Sequence, residues 1–268
     1  MANSINTNYG AAIALQNLNK TNAALETTQN RINTGQKVSS AKDNGAIFAI
    51  ATTQRANMGA MDAVKNSLQR GQSIVDVALA AGDTATSALE EMKALAVNIA
   101  SSTGDAQTAY LADYNALGKE VASALSGASF DGANLWTTAA VTNLTTNTSG
   151  GTYAIGFAAA PSADATLTAV NTGAITAANA TVANVDAAIK TVTTSLATLG
   201  TQSKSVGRQM TFVNKLQDAT EAGIGNLVDA DLAKESAKLT ALQTKQQLGV
   251  QALSIANSSS SILMSLFR

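Results

Sequence analysis

The chain has 268 residues, a formal charge of −1 from 17 basic and 18 acidic side chains, and 46% hydrophobic residues against only 4% aromatics. It contains no cysteine and no histidine, which removes Cys-His and Ser-His nucleophile pairs, the commonest general base and the usual metal ligands other than carboxylates. Balanced charge without a basic block leaves no electrostatic footprint for nucleic acid, and an Ala-rich, aromatic-poor apolar content suits long close-packed helices rather than a bulky centre.

Residues 1–34 predict an amphipathic helix. Leu18, Leu25 and Ile32 stand a heptad apart, with Ile5 and Leu15 nearby, and Gly35 interrupts the pattern. No cation precedes Lys20 and the apolar run Ala11–Leu15 is short, so this start is expected to be neither a cleaved secretory signal nor a membrane anchor. Nowhere is an apolar run long enough for a transmembrane helix, and no membrane insertion is expected.

The clearest periodicity follows. Alternating steps of four and three visit Met61, Val64, Leu68, Gly71, Val75, Ala78, Gly82, Ala85, Leu89, Met92, Ala96 and Ile99, all apolar or glycine. Such a repeat implies a seam against another long helix. Gly71 and Gly82 each cost about 1 kcal/mol of helix propensity relative to Ala, so close backbone approach explains them better than phosphate binding, for which no GxxxxGK[ST] exists. The turn formers Ser101–Asp105 then precede a helix marked by Tyr110, Tyr114, Leu117, Val121 and Leu125.

From about Asp131 to Thr181 the chain becomes Thr-, Ala-, Asn- and Gly-rich and holds its one proline, Pro161. The β-prone runs Thr152–Phe157 and Thr166–Val170, flanked by turn formers, predict hairpins. A second seam comes next: Val182, Val185, Ile189, Val192, Leu196, Leu199, Ser203, Val206, Met210 and Val213, broken only by Ser203. The two seams are natural partners. Gly223 and Gly225 predict a hinge or helix stop. Beyond them Leu232, Leu239, Leu242 and Leu253, with a second row of Leu248, Ala252, Ile255, Ile262 and Leu266, form an apolar face wider than a single partner helix needs.

The pattern predicts a mainly α fold: a long antiparallel, coiled-coil-like helical rod with paired terminal helices and a small β-hairpin region in the middle. Expected divisions are 1–44 with 226–268, a terminal helix pair; 45–130 with 177–225, a helical rod; and 131–176, a short surface-exposed β/loop segment. Ordering a residue costs about 1.5 kcal/mol, and terminal helices paired only with each other leave one stripe exposed. Both ends are therefore expected to be disordered in the lone subunit and to fold only when neighbouring copies cover them; a closed bundle with docked termini is the alternative.

The opening SINTNYGAAIALQNLNK and the elements Arg31–Gly35 and Ala41–Asp43 resemble the N-terminal region of bacterial flagellins of the short alphaproteobacterial type. The ending is similar to the flagellin C-terminus, from Asp229, Asp231 and Glu235 through Gln251, Ala252, Ala256 and Asn257 to Leu266, Phe267 and Arg268. Phe130-Asp131-Gly132 resembles the F-[ND]-G after the second helix of that family. The resemblance implies a structural subunit, not an enzyme and without a cofactor, that polymerises with other flagellin subunits into the hollow filament used for swimming; a hook-filament junction protein with similar terminal helices is the alternative. It implies a secreted, extracellular protein, delivered unfolded by the flagellar type III export apparatus with a secretion chaperone, and meeting filament cap and hook-junction proteins.

The interface it implies comprises Ile5, Leu15, Leu18, Leu25, Ile32, Leu232, Leu239, Leu242, Leu248, Leu253, Ile255, Ile262, Leu266 and Phe267. The Thr-rich middle is compatible with Ser/Thr glycosylation in the family and equally with an unmodified polar loop. Zinc peptidase flagellins need an H-E-x-x-H pair, which a chain without histidine cannot supply. The segment departs from the family pattern at Asp43-Asn44-Gly45-Ala46-Ile47 and at Ser258–Ser261, where a missing proline lets the last helix run on. It departs again at Glu91, where members that activate the mammalian flagellin receptor carry arginine, implying weak or no activation.

Overall fold

The computed structural model describes residues 8–266, with side chains described through Ser258. Its helices are α1 Tyr9–Thr34, α2 Gly45–Ser101, α3 Gly104–Gly127, α4 Ala165–Asn171, α5 Val182–Val228 and α6 Leu232–Leu266; strands β1 Thr142–Thr145 and β2 Thr152–Ile155 form one antiparallel hairpin. The fold is thus mainly α with a small β region. It divides into two compact units, residues 1–56 with 219–268, and residues 57–218.

In the first unit α1 begins at Asn8, whose side chain accepts from the Ala11 N–H at 2.9 Å, and ends at Gly35, which takes a left-handed conformation (φ 70°). That geometry is the common helix stop that glycine allows. Asn44 caps the start of α2 by accepting from the Ile47 N–H at 3.1 Å. Between the two helices, Asp43 Oδ2 accepts from the backbone and hydroxyl groups of Ser40 and Ser39. The Ser40 N–H is the largest of the causes that hold this carboxyl below its ordinary value.

In the second unit every position of the Met61–Ile99 seam is buried, and the α5 seam alternates buried Val185, Val192, Leu199, Val206 and Val213 with half-buried Val182, Ile189, Leu196 and Met210. Ser203, the polar break, accepts from Gln72 Nε2 at 2.7 Å, so the interruption is a cross-link between α2 and α5. Lys93 and Asp186 pair at 2.7 Å and Gln217 donates to Asp62 at 3.1 Å, which fixes the two helices antiparallel. The two seam glycines are approached by different side chains. Leu144 of β1 lies against Gly71, and a Cβ on Gly82 would stand 2.7 Å from Trp136 Cζ2.

The middle segment departs from the expected surface loop in part. Leu135, Trp136, Leu144, Ile155, Leu167 and Val170 join the same core as the seams, and Trp136 Nε1 donates to the Ala78 carbonyl at 2.7 Å. Buried Asn134 donates to the Leu125 and Ser126 carbonyls, satisfying the end of α3, and accepts from Trp136 N. The polar tip 146–150 remains outside.

Two local expectations are corrected. Thr166–Val170 is helix, not strand: Asp164 Oδ1 accepts from the Thr166 hydroxyl and N–H, capping α4, and Leu167 and Val170 then bury a helical spacing. Gly223 and Gly225 do not stop α5, which runs through them to Val228. The break falls at 229–231, where the Asp231 carboxylate accepts from the N–H groups of Ala233 and Lys234 and starts α6. As the missing proline implied, α6 continues through Ser258–Ser261 to Leu266.

Candidate functional site

The terminal helices α1 and α6 pack antiparallel. Asn8 Nδ2 donates to the Ala256 carbonyl at 2.8 Å, Gln246 Nε2 to Asn22 at 2.9 Å, and Arg31 pairs with Glu235 at 3.1 Å. Between these contacts Leu18 meets Gly249, whose lack of a side chain lets the helices close. Leu18, Leu25, Ile32, Leu239 and Leu253 are half-buried and Leu242 is buried, so the heptad row forms the seam between the helices. Thr28, between Leu25 and Ile32, is fully buried and its hydroxyl makes no hydrogen bond.

The other apolar positions point away. Leu15, Leu232, Leu248 and Ile255 are exposed, Ile255 by 70%, and so are Tyr9, Ile13 and Val250. By the register of the pair, Tyr9, Ile13, Leu15, Leu248, Val250 and Ile255 gather at the end of the pair marked by Asn8 and Ala256. Tyr9, Ile13 and Val250 fall off the heptad rows and sequence reasoning passed over them, although Tyr9 and Ile13 sit at the i, i+4 spacing that puts them on one helix face. Ile5 and Phe267 lie outside the described residues, as do the side chains of Ile262 and Leu266.

At the opposite end the chain leaving α1 is stitched to the chain entering α6. Gln36 and Asp229 form an antiparallel bridge, Lys37 N donates to Val228 O at 2.7 Å and Ala230 N to Gly35 O at 2.8 Å. Arg31, with Glu235 only 12% exposed, closes the same junction. Both residues stand in motifs legible in the sequence, but nothing local pairs this cation with this carboxylate among 17 basic and 18 acidic side chains.

Glu91 is exposed on α2. No three His, Cys, Asp or Glu side chains converge among the described residues, and no described helix is long and apolar enough to cross a membrane. What the arrangement offers is a surface: an ordered helix pair with large apolar side chains exposed along it.

The bacterial flagellin N-terminal helical region matches residues 5–140, and the bacterial flagellin C-terminal helical region matches residues 182–267. The chain is 52% identical to flagellin FljM and 54% identical to flagellin FljN, both of Caulobacter vibrioides, and 37% identical to a flagellin of Brucella melitensis biotype 1. Each alignment covers 99% of this chain and 99% of the relative.

Proposed function

The chain belongs to the bacterial flagellin family, and we propose that it polymerises by letting neighbouring copies cover the outward face of α1 and α6. As a flagellin it is a structural subunit of the flagellar filament, assembled from many copies and located outside the cell. The observation that carries the proposed interface is the set of exposed Leu15, Leu232, Leu248 and Ile255 beside the half-buried seam. Large side chains of this kind gain roughly 1.5–3 kcal/mol each on full burial, and Leu248 and Ile255, a heptad apart on α6, share one helix face.

The inner seam of Leu18, Leu25, Ile32, Leu239, Leu242 and Leu253 orders the pair, and the outward residues recruit the next copy. In the isolated subunit the pair lacks half its partners, so it opens readily and closes on assembly. Export through the flagellar apparatus in an unfolded state, with a chaperone holding the ends, suits a chain without cysteine. Cap and hook-junction proteins would meet the same terminal helices. The chain has no catalytic role in this reading. Exposed Glu91 places an anion where receptor-activating members present a cation, which supports weak activation of the mammalian flagellin receptor; potent signalling by purified subunit would contradict it.

The interface is tested by seeding purified subunit with short filament fragments and following growth by electron microscopy. Wild type should extend into long tubular fibres, while Ile255→Asp should slow extension at least about tenfold. Undiminished growth of Ile255→Asp and of Leu248→Asp would remove this face from the interface.

A further inference from the structure

We propose that the pocket between residues 157–164 and α5 binds one pyranose ring of a carbohydrate. The pocket, of about 360 Å³, is walled by Phe157, Pro161 and Asp164 on one side and by Lys190, Thr194 and Ser195 of α5 on the other. That size lies at the small end of ligand pockets, enough for a single ring. Lys190 with Thr194, and Thr191 with Ser195, are i, i+4 pairs, which sets them along one face of α5. The opposite wall comes from the stretch between 140 and 182 that neither flagellin region matches, so the pocket is not built by the shared helices alone.

The walls are held in place before any ligand arrives. The ring of Phe157 lies 6.3 Å from that of buried Trp136, the Ser162 N–H donates to the Trp136 carbonyl at 3.1 Å, and Pro161 is itself buried. Asp164 Oδ1 accepts from the Thr166 hydroxyl at 2.6 Å, and the Thr166 oxygen lies 2.8 Å from the Thr191 hydroxyl. Because Thr166 gives its one proton to Asp164, Thr191 is the donor in the second bond. Asp164 Oδ2 is left without a partner among the described residues. Ser195 is 8% exposed and its hydroxyl donates to the Thr191 carbonyl at 2.9 Å, which leaves its oxygen free to accept.

The charges select the ligand. Asp164 and Lys190 line the same pocket, yet neither forms an ion pair among the described residues. A group seated between them has to donate to a carboxylate and accept from an ammonium, and an alcohol hydroxyl does both with one oxygen. Vicinal hydroxyls do so twice and extend the network to the Thr194 hydroxyl, while the C–H face of the ring lies on Phe157 and Pro161. Asp164 repels a phosphate or carboxylate and Lys190 repels an alkylamine; a neutral polyol meets neither objection.

The test titrates full-length, isotope-labelled subunit, kept dilute, with the methyl pyranosides of glucose, galactose and mannose in turn. At least one should give saturable amide shifts at Phe157, Thr194 and Ser195, with a Kd in the millimolar range. Asp164→Asn keeps an oxygen for the α4 cap and should weaken that binding about tenfold, as should Lys190→Gln, a change at an exposed position. No saturable shift with any of the three sugars, an equal response to glycerol, or unchanged affinity in Lys190→Gln overturns the proposal. Saturation by free glycine but by no pyranoside assigns the pocket to a zwitterion and overturns it as well.

Discussion

At Gly71 the missing side chain is a packing device, because Leu144 of the hairpin fills the space a Cβ would take. Gly71→Ala should therefore destabilise by about 1–3 kcal/mol through overpacking, outweighing a helix-propensity gain of about 1 kcal/mol. Gly59, on the same helix with nothing near it, should gain about 0.5–1 kcal/mol as Gly59→Ala. Urea midpoints of the two variants should move in opposite directions, and movement in the same direction would contradict the packing account. Tyr114 gives a pH signature. Burial pushes its hydroxyl up to about 12 from 10.0, and the hydroxyl has no hydrogen-bond partner. Below the lower value tyrosine is neutral folded or unfolded; between the two only the unfolded chain ionises, so stability falls as pH rises through that window. Tyr114→Phe should remove that fall and leave stability at neutral pH equal or higher by about 1 kcal/mol; thermal melts across the alkaline range decide it, and a clear loss at neutral pH would contradict it. The sequence made Gly71 conspicuous as a seam position that should be larger, but its contact lies far along the chain and no local period points to it.

At the scale of elements, the seams of α2 and α5 were legible because their apolar residues keep one period over many turns, and burial followed that period. The breaks were less legible. Gly223 and Gly225 resemble a stop, yet a glycine interrupts a helix only when the following backbone takes the left-handed turn, as Gly35 does at φ 70°. The actual start of α6 is set by the Asp231 carboxylate on the N–H groups of Ala233 and Lys234. Asp231→Ala should cost about 1 kcal/mol of cap energy and speed amide exchange in the first turn of α6 about fivefold; unchanged exchange at Leu232–Glu235 would show that the junction with Gly35–Lys37 alone fixes this end. Thr166–Val170 misled for a related reason. Its β-prone composition is overridden by the Asp164 cap, and the same two hydrogen bonds, the Thr166 hydroxyl first and its N–H second, hold the Asp164 carboxyl below its usual value. Side-chain caps act over two or three residues, below the resolution of a periodicity argument.

For the whole molecule, the two units differ in how completely they satisfy themselves. The second closes a core over both seams and the hairpin, whereas the first leaves Leu15, Leu248 and Ile255 facing outward from a helix pair held mainly by one heptad row. The heptad row was readable in the sequence; which residues face outward was only half readable, because both rows of α6 are apolar and only packing separates them. Amide hydrogen exchange, compared between dilute subunit and assembled fibre, measures the difference directly. Amides of α1 and α6 should exchange quickly in the subunit and become strongly protected in the fibre, while those of the Met61–Ile99 seam stay protected in both. Equal protection of α1 and α6 in the dilute subunit would contradict the claim that neighbouring copies complete the ends.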